Sequence, residues 1–256
     1  MQSLAGVRVL VTRSETEGHV LAEKLRAQGA TTVELPTIAI IPPENNEFLD
    51  QPIKDLSTYD WLVFTSQHGV RFFAERMNAL GVSTGRLNDL KVAAIGPATA
   101  AALEKLGRKP DYVPDEFLSE QILNGLGDLK GKRILLPRAN IAGRNLPEEL
   151  TRQGANVEEV IAYRTIIPED LSLGRLQSTL KGRVDVVTFT SPSTVRNLAQ
   201  VAGNKLGSML SDVKVACIGP VTATAANTLG VHVNIVARNH TIDDLVEAIV
   251  NEIGTV

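Results

Sequence analysis

Only one of the 256 residues, Cys217, is a cysteine. No internal disulfide can form, and a reducing compartment is expected. Cys217 lies in the apolar run KVACIG, where a thiol reads as a small buried hydrophobe. Aromatic residues amount to 4%, too few for a base-stacking platform. Basic charge is not in excess: 26 Lys and Arg face 29 Asp and Glu, for a net charge of −3. A nucleic-acid partner is therefore not expected. No apolar run reaches the roughly 18 residues of a membrane span. The start, MQSLAGVRVLVTR, has neither the apolar stretch nor the small-residue cleavage site of a secretory signal. A cytoplasmic location is expected.

Catalytic signatures are scarce as well. No GxGxxG opens a helix, and there is neither a GxxxxGK[ST] loop nor a GxSxG elbow. His19, His68, His232 and His240 lack metal-ligand spacing with cysteine or acidic partners. Although His68 stands two residues from Ser66, one turn of chain is poor geometry for a Ser/His pair. Catalysis without metal, nucleotide or covalent cofactor would rest on positioning and a proton donor.

What the chain does have is alternation of strand and helix. Val7 to Val11 is a β-branched run, and Ser14 to Glu17 (SETE) fits a capping box. Val20, Leu21 and Leu25 share a helical face, Gly29 closes the helix, and Thr31 to Leu35 is the next strand. Further strands are expected at Trp61–Thr65, Val92–Ile95, Tyr112–Val113, Arg133–Leu136, Val157–Ala162, Val184–Thr190, Val213–Ile218 and Val233–Val236. Gly107, Gly154 and Gly230 read as helix ends, Ser119 and Thr241 as helix starts. The pattern is that of a doubly wound α/β fold.

The alternation is written twice. GVRVLVTR at 6–13 matches GKRILLPR at 131–138, FTSQHGV at 64–70 matches FTSPSTV at 189–195, and KVAAIGPATA at 91–100 matches KVACIGPVTA at 214–223. The offsets are 125, 125 and 123 residues, too long for a solenoid repeat. Two copies of one five-stranded domain are expected. Whether the halves fold as 1–128 and 129–256, or exchange their first βαβ units, stays open at this level. In the exchanged case Thr37–Ile41 (TIAII) and Tyr163–Ile167 (YRTII) are the candidate crossings.

The repeated phrases fall at strand carboxyl ends, where open parallel sheets bind ligands. Ser66 and Ser191 can cap the helices that follow, and Pro192 suits the first helical position. IGP at 95–97 and 218–220 repeats the device, with Thr99 and Thr222 in the first turn. Such starts attract anions, and the hydroxyls of Thr65, Ser66, Thr99, Thr190, Ser191 and Thr222 add donors. Four starts facing one cleft would suit a large ligand with several anionic groups. Arg13 and Arg138 end equivalent first strands and suit carboxylates. Lys214 precedes its strand and reads as a solvated charge.

The paired TS and IGP-xT motifs, the VTR start and Tyr163-x-Thr165 together resemble the uroporphyrinogen-III synthase family over essentially the whole chain. The resemblance implies a cofactor-free lyase of haem and tetrapyrrole biosynthesis acting on hydroxymethylbilane, a linear tetrapyrrole with eight carboxylates. Ring closure loses water and inverts ring D, through an azafulvene and a spiro-pyrrolenine. By position it implies Tyr163 as the group assisting departure of the ring A hydroxyl. Thr65, Ser66, Thr99, Ser191, Thr222 and Lys214 match substrate-lining positions. Gln67-His68 stand where the family often has Pro-Arg. The resemblance also implies two flavodoxin-like domains joined by a two-stranded linker: 1–37 plus 168–256, 42–162, and the linker strands 38–41 and 163–167. A monomer is expected, with transient contact to the preceding pathway enzyme as a further partner. The competing expectation is a non-catalytic two-domain binder of an anionic metabolite.

Overall fold

A computed structural model describes residues 3–115 and 119–254, apart from the side chains of residues 15–17, 119 and 120. The Glu17 half of the expected capping box and the Ser119 cap lie outside the described residues. The chain forms two compact units, residues 1–39 with 166–256 and residues 40–165.

In the first unit, β1 (Arg8–Val11) leads through α1 (Glu15–Ala27) to β2 (Thr31–Glu34). The chain returns later with α6 (Leu173–Lys181), β8 (Val186–Phe189), α7 (Pro192–Ala202), α8 (Leu206–Met209), β9 (Lys214–Cys217), α9 (Pro220–Thr228), β10 (Ile235–Val236) and α10 (Ile242–Ile253). The sheet order is β10-β9-β8-β1-β2, and the paired strands are parallel. Counted along the chain this is the flavodoxin-like order, whose direction reverses between β1 and β8.

The apolar strand residues divide by parity between the two faces. Leu10, Val187, Phe189, Val215 and Cys217 pack with residues of α6, α7, α8 and α9. Val9, Val11, Val186 and Ala216 pack with α1 and α10. A strand sends successive side chains to opposite faces, so continuous apolar runs such as VVTF require helices on both sides.

The second unit holds β3 (Ala39–Ile41), α2 (Glu47–Lys54), β4 (Trp61–Phe64), α3 (Gln67–Ala79), β5 (Lys91–Ala94), α4 (Pro97–Glu104), β6 (Arg133–Ala139), α5 (Asn145–Arg152) and β7 (Asn156–Ile166). Its sheet order is β3-β7-β6-β4-β5. The β7-β6-β4-β5 part reproduces the first unit's sheet with the chain entering at a different strand, and its direction reverses between β6 and β4. Here Leu62, Phe64, Val92, Ala94 and Leu135 face α2, α3 and α4, while Trp61, Val63, Ala93, Ile134 and Leu136 face α5.

Equivalent main-chain contacts recur at the same offset. The Arg8 N–H donates to the Asp185 carboxylate at 2.8 Å, and the Arg133 N–H to Asp60 at 2.9 Å.

Two expected strands differ. Tyr112–Val113 is reduced to a single bridge from Tyr112 to Ala93, because Pro110 and Pro114 flank it and proline cannot donate to a ladder. The expected crossing Tyr163–Ile167 and the strand Val157–Ala162 are one element, β7, since no turn residue separates them. The described residues contain no helix long and apolar enough to cross a membrane.

Candidate functional site

In the second unit the site grows from the carboxyl ends of β4 and β6. Ser66 has extended backbone at the start of α3, and its Oγ accepts the Gly69 N–H at 3.0 Å. A Cβ on Gly69 would come within 3.3 Å of the Pro137 carbonyl oxygen on β6, so glycine lets the first turn of α3 approach that strand closely. The Tyr163 hydroxyl lies 2.9 Å from Ser66 Oγ. Its ring stacks on Phe72 at 5.9 Å, and the His68 ring tilts toward it at 5.8 Å. Tyr163 is 7% exposed. A phenol so placed lies one hydrogen bond from a helix N-terminus, which favours negative charge nearby.

The expected residues separate into three groups. Thr65, Ser66 and Ser191 are half-buried at helix starts, as is Arg13 beyond the end of β1. Ser191 occupies the cap position of α7, but its Oγ pairs with Ser193 Oγ at 2.9 Å instead of capping the helix. Pro97, Pro192 and Pro220 stand at the first positions of α4, α7 and α9. Thr99, Thr190 and Thr222 are 3%, 7% and 3% exposed. Among the described residues, Thr190 Oγ1 is buried without a hydrogen-bond partner, an arrangement that costs about 1–3 kcal/mol unless something meets it.

Arg138 and Lys214 form the third group and stand apart from these hydroxyls. Arg138 is not an open fork for a carboxylate. It is buried, and its guanidinium donates to Glu159 Oε2 at 2.7 Å and to the Gly143 carbonyl. The β6 residue in this position lies beside β7 and is shielded from solvent; two of its guanidinium nitrogens are engaged, while its Nε is buried without a hydrogen-bond partner among the described residues. Lys214 is exposed at the first residue of β9. Parallel strands place it at the opposite edge of the sheet from Thr190, Ser191 and Thr222.

Sequence reasoning passed over the threonines that tie the reversal point of the first unit together. Thr188 Oγ1 donates to Leu10 O at 3.1 Å, Thr12 Oγ1 to Thr188 O at 2.6 Å, and Thr37 Oγ1 to Thr12 O at 2.9 Å. Asn197 of α7 then donates to Thr37 O at 2.8 Å. All three threonines are fully buried, and each bond satisfies a hydroxyl that would otherwise be costly to bury. Asn140, beside Tyr163, was passed over too. Only its place directly after the RA pair of β6 could have signalled it.

A depression lined by Tyr59, Asp60, Trp61, Lys91, Arg108 and Lys132 lies at the amino end of the same sheet. Its cations are engaged already. Lys132 pairs with Asp60, Arg108 with Asp111, and Lys91 sits over the Trp61 ring. Open α/β sheets bind ligands at the other end. The described residues contain no group of three or more His, Cys, Asp or Glu able to hold a metal ion.

A family model described as uroporphyrinogen-III synthase HemD matches residues 19–247. The uroporphyrinogen-III synthase of Synechococcus elongatus is 34% identical over 254 residues, covering 97% of this chain and 96% of that one. The crystal structure of a mutant uroporphyrinogen III synthase from Thermus thermophilus matches with a TM-score of 0.68 at 25% identity, covering 94% of this chain and 96% of that one. The uroporphyrinogen-III synthetase of Helicobacter pylori matches in fold, with a TM-score of 0.64 at 19% identity over 94% and 96% of the two chains. With this coverage the chain belongs to the uroporphyrinogen-III synthase family, enzymes of tetrapyrrole synthesis.

Proposed function

We propose that the protein is a monomeric cytoplasmic lyase that cyclises hydroxymethylbilane to uroporphyrinogen III, with loss of water and inversion of ring D. The observation that carries the residue assignment is the 2.9 Å contact of the Tyr163 hydroxyl with Ser66 Oγ at the start of α3. Tyr163 donates a hydrogen bond or proton to the departing ring A hydroxyl, and Ser66 orients the phenol. The carboxylates of the substrate are met by the N–H groups at the starts of α3, α4, α7 and α9. Thr65, Thr99, Thr190, Ser191 and Thr222 add donors there, and Arg13 adds a cation. Net charge −3 provides no global attraction for a polyanion, so local dipoles and donors must do the holding. The linear substrate closes unaided to the uninverted isomer. The protein's task is therefore to hold ring D in the conformation that reacts through its substituted carbon.

Freshly prepared hydroxymethylbilane added to the purified protein tests the reading. The products are oxidised and uroporphyrin isomers I and III separated. Dominant isomer III is expected. Isomer I alone, formed at the rate of the protein-free control, would reject the synthase and favour a binder. In the same assay Tyr163→Phe is expected to lower kcat by about 10²-fold or more with circular dichroism unchanged. Wild-type turnover in that variant would remove Tyr163 from the mechanism.

A further inference from the structure

We infer that Asn140 is a positioning residue for the Tyr163 hydroxyl; the inference rests on the role proposed above for Tyr163. The β6–β7 ladder is irregular between Arg138 and Ala139. Arg138 pairs with Ile161 and Ala139 with Tyr163, so Ala162 has no partner across the ladder. Ala162 and Tyr163 are consecutive yet pack in one cluster with Phe72, where a regular strand sends one of the two to the opposite face. This bulge turns Tyr163 toward Phe72 and Ser66. A bulge re-aims a side chain in this way only while the register beyond it holds. A slip of one residue would carry Tyr163 to the other face of the sheet.

β6 ends at Ala139, whose pairing with Tyr163 is the last in the β6–β7 ladder, so on this side of β7 a single strand residue holds the register beyond the bulge. Asn140 takes over. Its main-chain N–H donates to the Tyr163 carbonyl at 3.2 Å. Its side-chain Oδ1 accepts the Thr165 N–H at 2.8 Å. In a parallel ladder a residue's own N–H and C=O make this pair of slanted bonds. Here the side-chain amide oxygen stands in for the main-chain carbonyl, while the chain itself leaves the sheet and turns at residues 140 and 141. The Ala142 N–H to Ala139 carbonyl bond, 3.1 Å, closes that turn. Asparagine is suited to the position because its amide reaches as far as a peptide group and carries an acceptor. Aspartate retains the acceptor, and alanine has none.

Wild type, Asn140→Ala, Asn140→Asp, Tyr163→Phe and the Asn140→Ala/Tyr163→Phe double variant are compared in kcat and KM for isomer III, with Tm measured for each. Asn140→Ala is expected to lower kcat about fivefold or more, since small misplacements of a reacting group are costly, with KM and Tm close to wild type. Asn140→Asp is expected to keep kcat within about twofold of wild type, while its charge raises KM for the polyanion. Adding Asn140→Ala to Tyr163→Phe is expected to leave kcat where Tyr163→Phe alone puts it. With Tyr163→Phe slow, any of three results overturns the inference: wild-type kcat in Asn140→Ala, an Asp variant as slow as the Ala variant, or an undiminished further loss in the double variant. Wild-type kcat in Tyr163→Phe instead rejects the role of Tyr163 and removes the basis for the inference. If Asn140→Ala lowers Tm markedly, Asn140→Ser, whose hydroxyl is too short to span to Thr165, replaces it under the same criteria.

Discussion

Thr190 carries a hydroxyl that is buried and, among the described residues, unpartnered. A structural threonine in such a place would be a liability, because an unmet buried hydroxyl destabilises the fold. Thr190→Val is therefore expected to leave Tm unchanged or raise it slightly, while KM for hydroxymethylbilane rises severalfold. A drop in Tm with unchanged KM would show that the hydroxyl serves the fold alone. Cys217 behaves in the opposite manner. It is fully buried, and desolvation pushes its thiol up to about 12 from an ordinary value of 9.0. At pH 8 the folded protein is expected to resist a disulfide-exchange reagent, and one thiol should react when denaturant is added. The raised value also has a sign for stability. The contribution of the neutral thiol is complete below the unfolded pKa and is lost as pH rises from about 9 toward 12. The burial of Cys217 was legible from its apolar run. The unmet hydroxyl of Thr190 was not, because satisfaction of a hydrogen bond depends on neighbours distant in sequence.

At the scale of elements, the helix starts were the most readable feature, since their geometry is local. Ser66 and Thr241 cap as their residue types suggest, accepting from Gly69 and Asp244 N–H groups. Contacts between helices were not legible. Asp50 of α2 and Arg76 of α3 form a two-point pair at 2.5 and 2.6 Å, with side chains only 17% and 26% exposed. The guanidinium holds the Asp50 carboxyl below its ordinary value, against the opposing effect of burial. Since the folded value is depressed, the stabilisation is present at neutral pH and lost as pH falls through that value. Asp50→Asn is expected to cost about 1 kcal/mol at pH 7 in denaturant titration. The difference from wild type should shrink steadily below pH 4. A second element-level contact joins α8 to the turn after α9. A Cβ on Gly207 would lie 2.2 Å from the Gly230 carbonyl oxygen. Main chain cannot yield as a side-chain end can, so Gly207→Ala is expected to destabilise the fold by about 1–3 kcal/mol. A Tm equal to wild type would show that α8 shifts freely.

Across the whole molecule, each unit closes its own cores on both faces of its own sheet. Units with separate cores can in principle unfold separately. The single tryptophan, Trp61, lies in the second unit and is 5% exposed. Phe189→Ala hollows the first unit and is expected to cost about 3–5 kcal/mol. Far-UV circular dichroism should then lose part of its amplitude at lower denaturant than the Trp61 fluorescence change, whose midpoint should move little. A common shift of both signals would show one cooperative structure. The sequence by itself determined the strand and helix alternation, the doubling at a 125-residue offset and the anion-attracting helix starts. These are set by apolar periodicity and by residues close together in the chain. It left open which strands share a sheet, because pairing joins segments far apart. β1 lies beside β8, which comes much later in the chain. Only the tertiary structure decided that. It also decided that the Arg138 guanidinium meets Glu159 and the Gly143 carbonyl, and that a bulge at Ala162 turns Tyr163 onto Ser66. Each depends on register between strands, and register is a property of the packed sheet.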